Sequence, residues 1–215
     1  MAESLDKKRF LYAYRSLLEE ADRQNRPALL LHCCCAPCSS AVLEALSEHF
    51  AVSVYYYNPN IEPAEEYHHR LEELDRLRGE LPCEIGSVTA PYQPEEFESF
   101  ARQMADEPEG GRRCARCFAL RLEATARAAR EAGIPWFATT LTLSPMKDAA
   151  LLNRIGSAME TKYGVRYLTS DFKKEGGYLY SIRQSEKYHL YRQDYCGCLY
   201  SKRESEQRRS SKREG

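Results

Sequence analysis

The chain has 215 residues, of which 43% are apolar and 29% are charged, and its formal net charge is -1. This length and composition predict one globular domain with a core of its own and exclude a mainly disordered chain. Apolar runs stay short of the ~20 residues that cross a membrane, and residues 1–8 lack a signal-peptide pattern, so we expect a cytoplasmic protein without membrane contact. A charge so close to zero excludes a globally basic surface, so any contact with nucleic acid must use a local patch.

Short apolar or β-branched runs alternate with longer amphipathic segments along the chain. In chain order they predict a helix at 5–24, a strand at 28–33, a helix at 41–49, a strand at 51–57, a helix at 64–79, a strand at 83–88, helices at 94–104 and 118–132, a strand at 136–142, a helix at 149–163 and a strand at 165–169. This alternation predicts the α/β fold class, with a Rossmann-like parallel sheet flanked by helices and ligands bound at the carboxyl ends of the strands. We assign residues 1–200 to this single domain and expect the polar residues 201–215 to form a disordered tail.

Six of the nine cysteines stand in three close pairs, which are Cys34 and Cys35, Cys114 and Cys117, and Cys196 and Cys198. The first pair directly follows the first predicted strand and therefore lies where such sheets bind ligands. Thiols of an intracellular chain stay mostly reduced, so metal binding or redox chemistry is favoured over a structural disulfide framework. Cys33 and Cys83 are expected to be buried core residues.

Cys114 and Cys117 form a C-x-x-C at a loop-to-helix junction. This spacing places both sulfurs on one side of the first helical turn. The helix N-terminus and the neighbouring Arg112, Arg113 and Arg116 are expected to lower the pKa of both thiols and to favour thiolates. The same arginines offer a site for an anionic substrate.

Cys196 and Cys198 form a C-x-C around Gly197. A disulfide across so short a spacing is strained and therefore labile, which suits electron relay better than structural support. Metal ligation is the competing interpretation of this pair.

Two adjacent cysteines and one distant C-x-x-C supply four thiolates, the number that binds one [4Fe–4S] cluster. Zinc also takes four thiolates, but usually from two C-x-x-C knuckles, so the pattern favours iron–sulfur without excluding zinc. The α/β pattern resembles the ATP-pyrophosphatase (HUP-type) domains that modify tRNA. The cysteine run at 33–38 stands where those domains carry a Ser-Gly-Gly-x-Asp-Ser phosphate loop, so ATP use is disfavoured.

Six ordered motifs resemble the epoxyqueuosine reductase QueH family, across about residues 29–201. They lie at 31–38, 57–61, 113–117, 139–147, 171–174 and 191–198. The resemblance implies reduction of the epoxide of epoxyqueuosine in tRNA, the last step of queuosine synthesis, with loss of the oxygen as water. It also implies a [4Fe–4S] cluster, an adjacent mononuclear iron and an external electron donor.

The resemblance further assigns roles to individual cysteines. It implies that the cluster ligands are Cys34, Cys35, Cys114 and Cys117, and that Cys196 and Cys198 are a redox-active pair. Cys38 is the candidate ligand of the second iron. The third consecutive cysteine, Cys33, departs from the family motif and leaves the choice of adjacent ligands open.

Several polar residues are candidates for contact with the substrate. The proton that converts the leaving oxide to water is assigned to His32, with Asp171 and Tyr195 as alternatives. Asn58 and Asn60 are candidates for hydrogen bonds to the modified base, against the plainer interpretation that they are turn residues. The candidates for anticodon-loop phosphates or for lining the site are Arg112, Arg113, Arg116, Lys147, Lys173 and Lys174.

Two other classes of protein fit part of the pattern. A zinc-binding module without catalysis predicts a colourless protein with one zinc. A thiol–disulfide oxidoreductase acting through Cys196 and Cys198 predicts activity that survives the loss of Cys34 or Cys114.

Overall fold

Five parallel strands form one sheet in this computed structural model, which describes residues 2–213 and the side chains of residues 13–211. The strands are β1 (Ala28–His32), β2 (Ala51–Tyr55), β3 (Gly86–Val88), β4 (Trp136–Thr139) and β5 (Arg166–Tyr167). Their order across the sheet is β3-β2-β1-β4-β5, and every neighbouring pair is parallel. The predicted α/β class with a parallel sheet is therefore confirmed.

Helices connect the strands and continue beyond the sheet. Within the described residues they are α1 (Ala2–Arg23), α2 (Ala36–Ser47), α3 (Ala64–Glu80), α4 (Pro94–Ala101), α5 (Arg112–Glu131), α6 (Ala149–Tyr163), α7 (Gly177–Lys187) and α8 (Leu199–Arg213). Short 3₁₀ turns follow α4 and β4. Among these helices, none combines the length and the apolar character that a membrane crossing requires.

The sheet is covered on both faces, because successive residues of a strand point to opposite sides. In β1, Leu29 and Leu31 pack into one apolar cluster, whereas Leu30 packs into another. In β4, Trp136 joins the first cluster and Phe137 the second. Helices α2 and α3 complete the first cluster, and α5 and α6 complete the second. The strands are therefore buried on both sides, as the continuous apolar runs of the sequence indicate.

The strand order reverses direction between β1 and β4. The chain moves from β1 to β2 and β3 on one side, and then returns to place β4 and β5 on the other side. In such sheets the connections at the reversal diverge and leave a crevice at the carboxyl ends of the two strands. His32 ends β1 and is paired with Thr139, which ends β4. The cysteine run after His32 therefore begins at this crevice.

Three helices before α8 differ clearly from the sequence-based expectation. Helix α2 begins at Ala36 instead of residue 41. The helix expected from residue 118 begins at Arg112, directly after Gly111, so Cys114 and Cys117 lie within its first two turns. Helix α7 has no counterpart among the predicted elements. Its buried residues include Ser181 and Ser185, which are polar, so the apolar periodicity that reveals most helices is missing.

The disorder expected after residue 200 is wrong for the part of the tail that the structure describes, because α8 covers Leu199–Arg213. Ser201 and Ser205, one turn apart, are buried on one face of this helix. Between them, Glu204 forms an ion pair of 3.3 Å with the buried Arg113. The partners of this face lie far away in sequence, so composition alone indicates only a solvated segment.

Gly156→Ala is expected to lower the free energy of unfolding by about 1–3 kcal/mol, because overpacking a core distorts it. A Cβ at residue 156 of α6 would lie 2.3 Å from the ring of the buried Tyr167. Urea unfolding followed by circular dichroism measures the change.

Gly79→Ala in α3 is the matched control, since nothing lies within 4 Å of the added Cβ. This substitution is expected to be neutral or to stabilise by up to ~1 kcal/mol through helix propensity. Equal losses in the two variants would contradict the packing of α6 against β5.

Candidate metal and substrate site

Three thiols meet where β1 passes into α2. Cys35 precedes α2 in an extended conformation, and Pro37 in the first turn fixes the direction of the helix. The Sγ atoms of Cys34, Cys35 and Cys38 all lie within 4.8 Å of one another, and those of Cys34 and Cys35 are 3.7 Å apart. Three convergent thiols are soft ligands, so this cluster can bind a metal ion.

The three sulfurs do not carry equal charge. Hydrogen bonds from Cys35 and Cys38 hold the pKa of the Cys34 thiol well below its usual range, and the positive charges of Lys147 and Arg121 lower it further. The Cys34 sulfur in turn raises the pKa of Cys35 to about 12 and also raises that of Cys38. Cys34 is therefore the thiol of the group that loses its proton most readily, and binding of a metal by all three would release the protons that the thiols still carry.

The C-x-x-C of α5 forms a second group of sulfurs. Cys117 is buried beside Cys198, in a small apolar cluster with Phe97 and Phe100. The backbone N–H of Gly110 donates to the Cys114 sulfur at 3.3 Å. Within the described residues, the group of thiols whose sulfurs lie within 4.8 Å of one another contains Cys34, Cys35 and Cys38 but neither cysteine of this C-x-x-C.

The expected lowering of the pKa at the C-x-x-C is wrong. Burial raises the pKa of Cys114 to about 11 and that of Cys117 to about 12. The charges of Cys196 and Cys198 add to the rise at both thiols. Cys198 and Cys117 belong to the same apolar cluster, so the C-x-C lies beside the C-x-x-C. Desolvation outweighs the helix N-terminus here because the sulfurs are covered by apolar side chains.

Arg70 of α3 holds the C-x-C in place. Its Nη1 donates to the Cys196 carbonyl at 3.2 Å, and its Nε donates to Glu66 at 2.7 Å. Gly197 adopts a φ of 123°, and a Cβ there would lie 2.8 Å from the side chain of Ile61. Only glycine fits this close approach. Cys196 and Cys198 are both free thiols in the structure.

Arg121 of α5 joins the cysteine groups through its buried guanidinium. Its Nε donates to His32 at 3.2 Å, and its Nη2 donates to the Asn58 side-chain oxygen at 2.5 Å. It interacts electrostatically with the sulfurs of Cys117, Cys196 and Cys34. One cation is thus within range of a thiol from each of the three pairs.

A cleft of about 440 Å³ opens over the first cysteine group. Its walls come from the α2 N-terminus, the loop after β4, the segment before α8 and α8 itself. The lining residues that carry a thiol, charged or hydroxyl group include Cys34, Cys35, Cys38, Arg70, Glu109, Ser144, Lys147, Arg192, Asp194, Tyr195, Cys196, Arg208 and Arg209. This volume falls within the range of small-molecule sites, ~300–1,000 Å³.

Lys147 is the sequence-predicted substrate residue that the structure brings into this cleft. Burial lowers its pKa, but the charges of Cys196, Cys34 and Cys38 outweigh burial and raise the pKa above its usual value. Its Nζ is therefore a protonated ammonium group beside sulfurs from two of the cysteine groups.

Two other predicted residues lie elsewhere. Asp171 forms an ion pair of 2.8 Å with Lys173 and lines a separate cavity of about 170 Å³ between α2 and α7. Lys173 also lies within 3.4 Å of the Thr142 carbonyl. Neither residue lines the thiol cleft, because the loop after β5 turns towards α2 instead.

Arg113 is not available to bind phosphate, contrary to the sequence-based expectation. Its side chain is only 1% exposed, and Nη1 donates to the backbone carbonyls of Met104, Ala105 and Glu107. Nη2 pairs with Glu204 of α8. The guanidinium is a structural tie between α5, the loop before it and α8.

His32 and Asn58 are buried beneath the cysteine run, and both are hydrogen-bonded to Arg121. His32 is fully buried, and its Nδ1 is hydrogen-bonded to the Thr139 hydroxyl at 2.9 Å. Its Nε2 lies 3.2 Å from the Arg121 Nε and 3.1 Å from the Tyr57 carbonyl. Burial, and then Arg121, lower the pKa of His32 to about 3. Asn58 donates to the Cys33 carbonyl at 2.9 Å. These contacts make both residues positioning residues, in place of the proton donor and substrate contact expected from the sequence.

Sequence reasoning missed two of the three buried arginines that the described residues contain, Arg70 and Arg121. A signal for Arg121 exists, because it follows Cys117 by four residues and so shares its face of α5. Arg70 carries no such signal, since its partner Cys196 is 126 residues away.

Asn58→Ala is expected to lower the free energy of unfolding by roughly 2–4 kcal/mol, because it leaves the buried Arg121 Nη2 and the Cys33 carbonyl unpaired. Asn60→Ala is the matched control: its amide is equally buried, and neither amide atom has a hydrogen-bond partner within the described residues. Its loss is expected to cost less than about 1 kcal/mol. Urea unfolding of the metal-free chains measures both, and a larger loss at residue 60 would contradict the network.

Comparison with known proteins places this site in a family. A family model described as epoxyqueuosine reductase QueH matches residues 29–204. A Staphylococcus epidermidis protein named epoxyqueuosine reductase QueH is 40% identical over 194 residues, which are 87% of this chain and 82% of the relative. Relatives of the same name from Streptococcus pyogenes (42% identical; 82% of this chain, 71% of the relative) and Thermotoga maritima (36%; 80% and 89%) also match. The chain belongs to the epoxyqueuosine reductase QueH family.

Proposed function

We propose that this chain is an epoxyqueuosine reductase that acts in the cytoplasm on tRNA carrying epoxyqueuosine in the anticodon loop. Two electrons and two protons convert the epoxide to an alkene and water, which yields queuosine in the tRNA. The observation that carries the proposal is that thiols of two cysteine groups, Cys34, Cys35 and Cys38 from one and Cys196 from the other, line one cleft at the carboxyl ends of β1 and β4. The charge of the buried Arg121 acts on Cys34 and Cys196 and also on Cys117 of the third group. Membership of the family supports the same activity.

The donor set fits an iron–sulfur centre. Cys34, Cys35, Cys114 and Cys117 would hold a [4Fe–4S] cluster, and Cys38 is positioned beside the first two to bind an adjacent iron. Thiolate-rich centres carry negative charge, and the buried Arg121 together with Lys147 offsets it. When bound, the cluster and the iron would supply the electrons and a Lewis acid at the epoxide oxygen.

The residues of the chain itself would bind and orient the substrate. Lys147 holds a proton at Nζ within the cleft, where a leaving oxide would need one. Tyr195, which also lines the cleft, is the remaining alternative of the three proton donors expected from sequence. RNA-modifying enzymes reach a base by splaying it out of an unpaired loop, and a cleft of about 440 Å³ has room for a single base.

Cys196 and Cys198 would act as the redox-active pair. Their position beside Cys114 and Cys117 supports electron relay between an external donor and the cluster. Arg70 fixes the carbonyl of Cys196 and thereby holds the pair near the cleft.

Anaerobically purified chain is expected to be brown and to contain about four or five irons with about four sulfides. Cys114→Ser is expected to lose the colour and most of the sulfide, because it removes one of four cluster ligands. Cys83→Ser is the matched control: this cysteine packs against the first apolar cluster, away from the cleft, and the variant is expected to keep both. Elemental analysis and the visible spectrum measure these quantities.

The same preparation separates the alternatives. One zinc per chain without sulfide would replace the reductase with a zinc-binding module. Disulfide reductase activity on proteins that persists in Cys114→Ser, without reduction of epoxyqueuosine tRNA by the wild-type chain, would favour a thiol–disulfide oxidoreductase.

Lys147→Met is expected to lower the rate of epoxide reduction at saturating tRNA by about 10²–10⁴-fold, the usual contribution of a positioned proton donor. Lys173→Met is the comparison variant, because its ammonium pairs with Asp171 outside the cleft. Single-turnover assays with pre-reduced enzyme measure both rates. A larger loss at residue 173 would contradict Lys147 as the proton donor and would favour Asp171, the partner of Lys173 and one of the donors expected from sequence.

A further inference from the structure

We propose that α8 forms a phosphate-binding rim of the cleft, in which Arg208 and Arg209 together with Arg192 bind backbone phosphates of the RNA loop whose base enters the cleft. Arg208 and Arg209 belong to the segment expected from sequence to be a disordered tail. The nature of the RNA rests on the proposed function, whereas the rim itself rests on the contacts of α8.

The charge of the cleft is opposite to that of the chain. Five positively charged and two negatively charged side chains line it, whereas the whole chain has a net charge of -1. The positive residues are Arg70, Lys147, Arg192, Arg208 and Arg209, and the negative ones are Glu109 and Asp194. A concave surface with such a local excess of positive charge attracts a polyanion, although the net charge of the whole chain is close to zero.

The positive groups divide into an inner and an outer set. Arg70 is 1% exposed, and Lys147 lies beside the thiols, so both are suited to the base end of a bound nucleotide. The side chains of Arg208 and Arg209 are 48% and 61% exposed, and Arg192 is exposed beside them. This order matches a nucleotide whose base points inwards and whose phosphates stay at the surface.

The backbone of α8 is held firmly enough to present these arginines. Glu204 accepts from Arg113 at 3.3 Å and from the backbone N–H of Glu109 at 3.1 Å. The Arg113 guanidinium lies 4.5 Å from the centroid of the Tyr200 ring. Ser201 and Ser205 are buried on the same face. These contacts hold α8 in place without involving Arg208 or Arg209, so the rim is preorganised before phosphate binds.

Both rim arginines of α8 have acidic partners that a phosphate can replace. Arg208 pairs with Glu109 at 3.2 Å, and Arg209 contacts Asp194. The Arg209–Asp194 pair is exposed on both sides, and Arg208 is exposed on its side of the pair with Glu109, so water weakens both pairs and they contribute little to stability. A phosphate accepts paired hydrogen bonds from a guanidinium in the same geometry as a carboxylate does, so exchange of partners costs little. Glu109 is then a competitor of the phosphate rather than a structural necessity.

Three variants of the full-length chain test the rim. Arg208→Gln with Arg209→Gln removes the two α8 phosphate contacts. Arg203→Gln removes the same kind of charge from an exposed position of α8 that does not line the cleft. Glu109→Gln breaks the same ion pair as Arg208→Gln but removes the competing carboxylate instead.

Fluorescence anisotropy measures the affinity for tRNA carrying epoxyqueuosine between about 50 and 200 mM salt. In the double variant, the slope of log affinity against log salt concentration is expected to be shallower by about 1.4, because each single-stranded phosphate contact contributes ~0.7 to it. The wild-type chain is therefore expected to lose about sevenfold more affinity than the double variant across this range. Arg203→Gln is expected to keep the wild-type slope, and Glu109→Gln to bind as tightly as the wild type or more tightly. A double variant with the slope and affinity of Arg203→Gln would overturn the rim. A Glu109→Gln variant whose affinity falls as much as that of the double variant would also overturn it.

Failure of the rim and failure of the proposed function give different results. Wild-type chain that reduces epoxyqueuosine tRNA, with arginine variants that bind it normally, overturns the rim alone. Wild-type chain that binds tRNA through these arginines but never reduces the epoxide supports the rim and overturns the proposed reductase.

Discussion

The guanidinium of Arg121 lies behind the cleft, where it donates to His32 and Asn58 and interacts with sulfurs of all three cysteine pairs. Thiolates that approach one another repel, and the repulsion grows as water is excluded. A permanent cation among them lowers the cost of placing many sulfurs in one buried volume. The rest of the site depends on this placement, because α5 brings both Arg121 and the C-x-x-C to the end of β1.

The polar residues around Arg121 connect the sheet to the cysteine loop. His32 ends β1 and is hydrogen-bonded to Thr139 at the end of β4, so it ties together the two strands at the crevice. Asn58, after β2, joins the Cys33 carbonyl to Arg121. Three neighbouring strands therefore fix the backbone that precedes Cys34. A site positioned by strand ends keeps its geometry better than one carried by loops alone, and metal centres need that precision.

Much of this architecture could be predicted from sequence, and the exceptions have physical reasons. The apolar runs at β1, β2 and β4 and the glycine after α6 mark local structure that depends on nearby residues. Local patterns also indicated the cysteine run and the C-x-x-C. What could not be predicted depends on distant partners: α8 is ordered by Arg113, and Asp171 turns towards α2. The predicted direction of the pKa shift at Cys114 and Cys117 was wrong for the same reason. Cys117 is buried beside Phe97 and Phe100, and Cys114 packs against the second apolar cluster, and neither contact is visible in the local sequence.

Helix α8 follows the C-x-C directly, so it sets the distance between Cys198 and the arginines near its far end. Cys198 immediately precedes it, and the backbone N–H of Ser201 donates to the Cys198 sulfur at 3.4 Å. With a rise of ~1.5 Å per residue, the arginines near the far end lie about 15 Å along the helix from that thiol. If Cys198 is redox-active and the arginines bind phosphates, as proposed, this helix would set a fixed distance between the point where electrons enter and the nucleic-acid backbone. Register along the RNA would then be chosen by length, without reading the sequence of the flanking nucleotides.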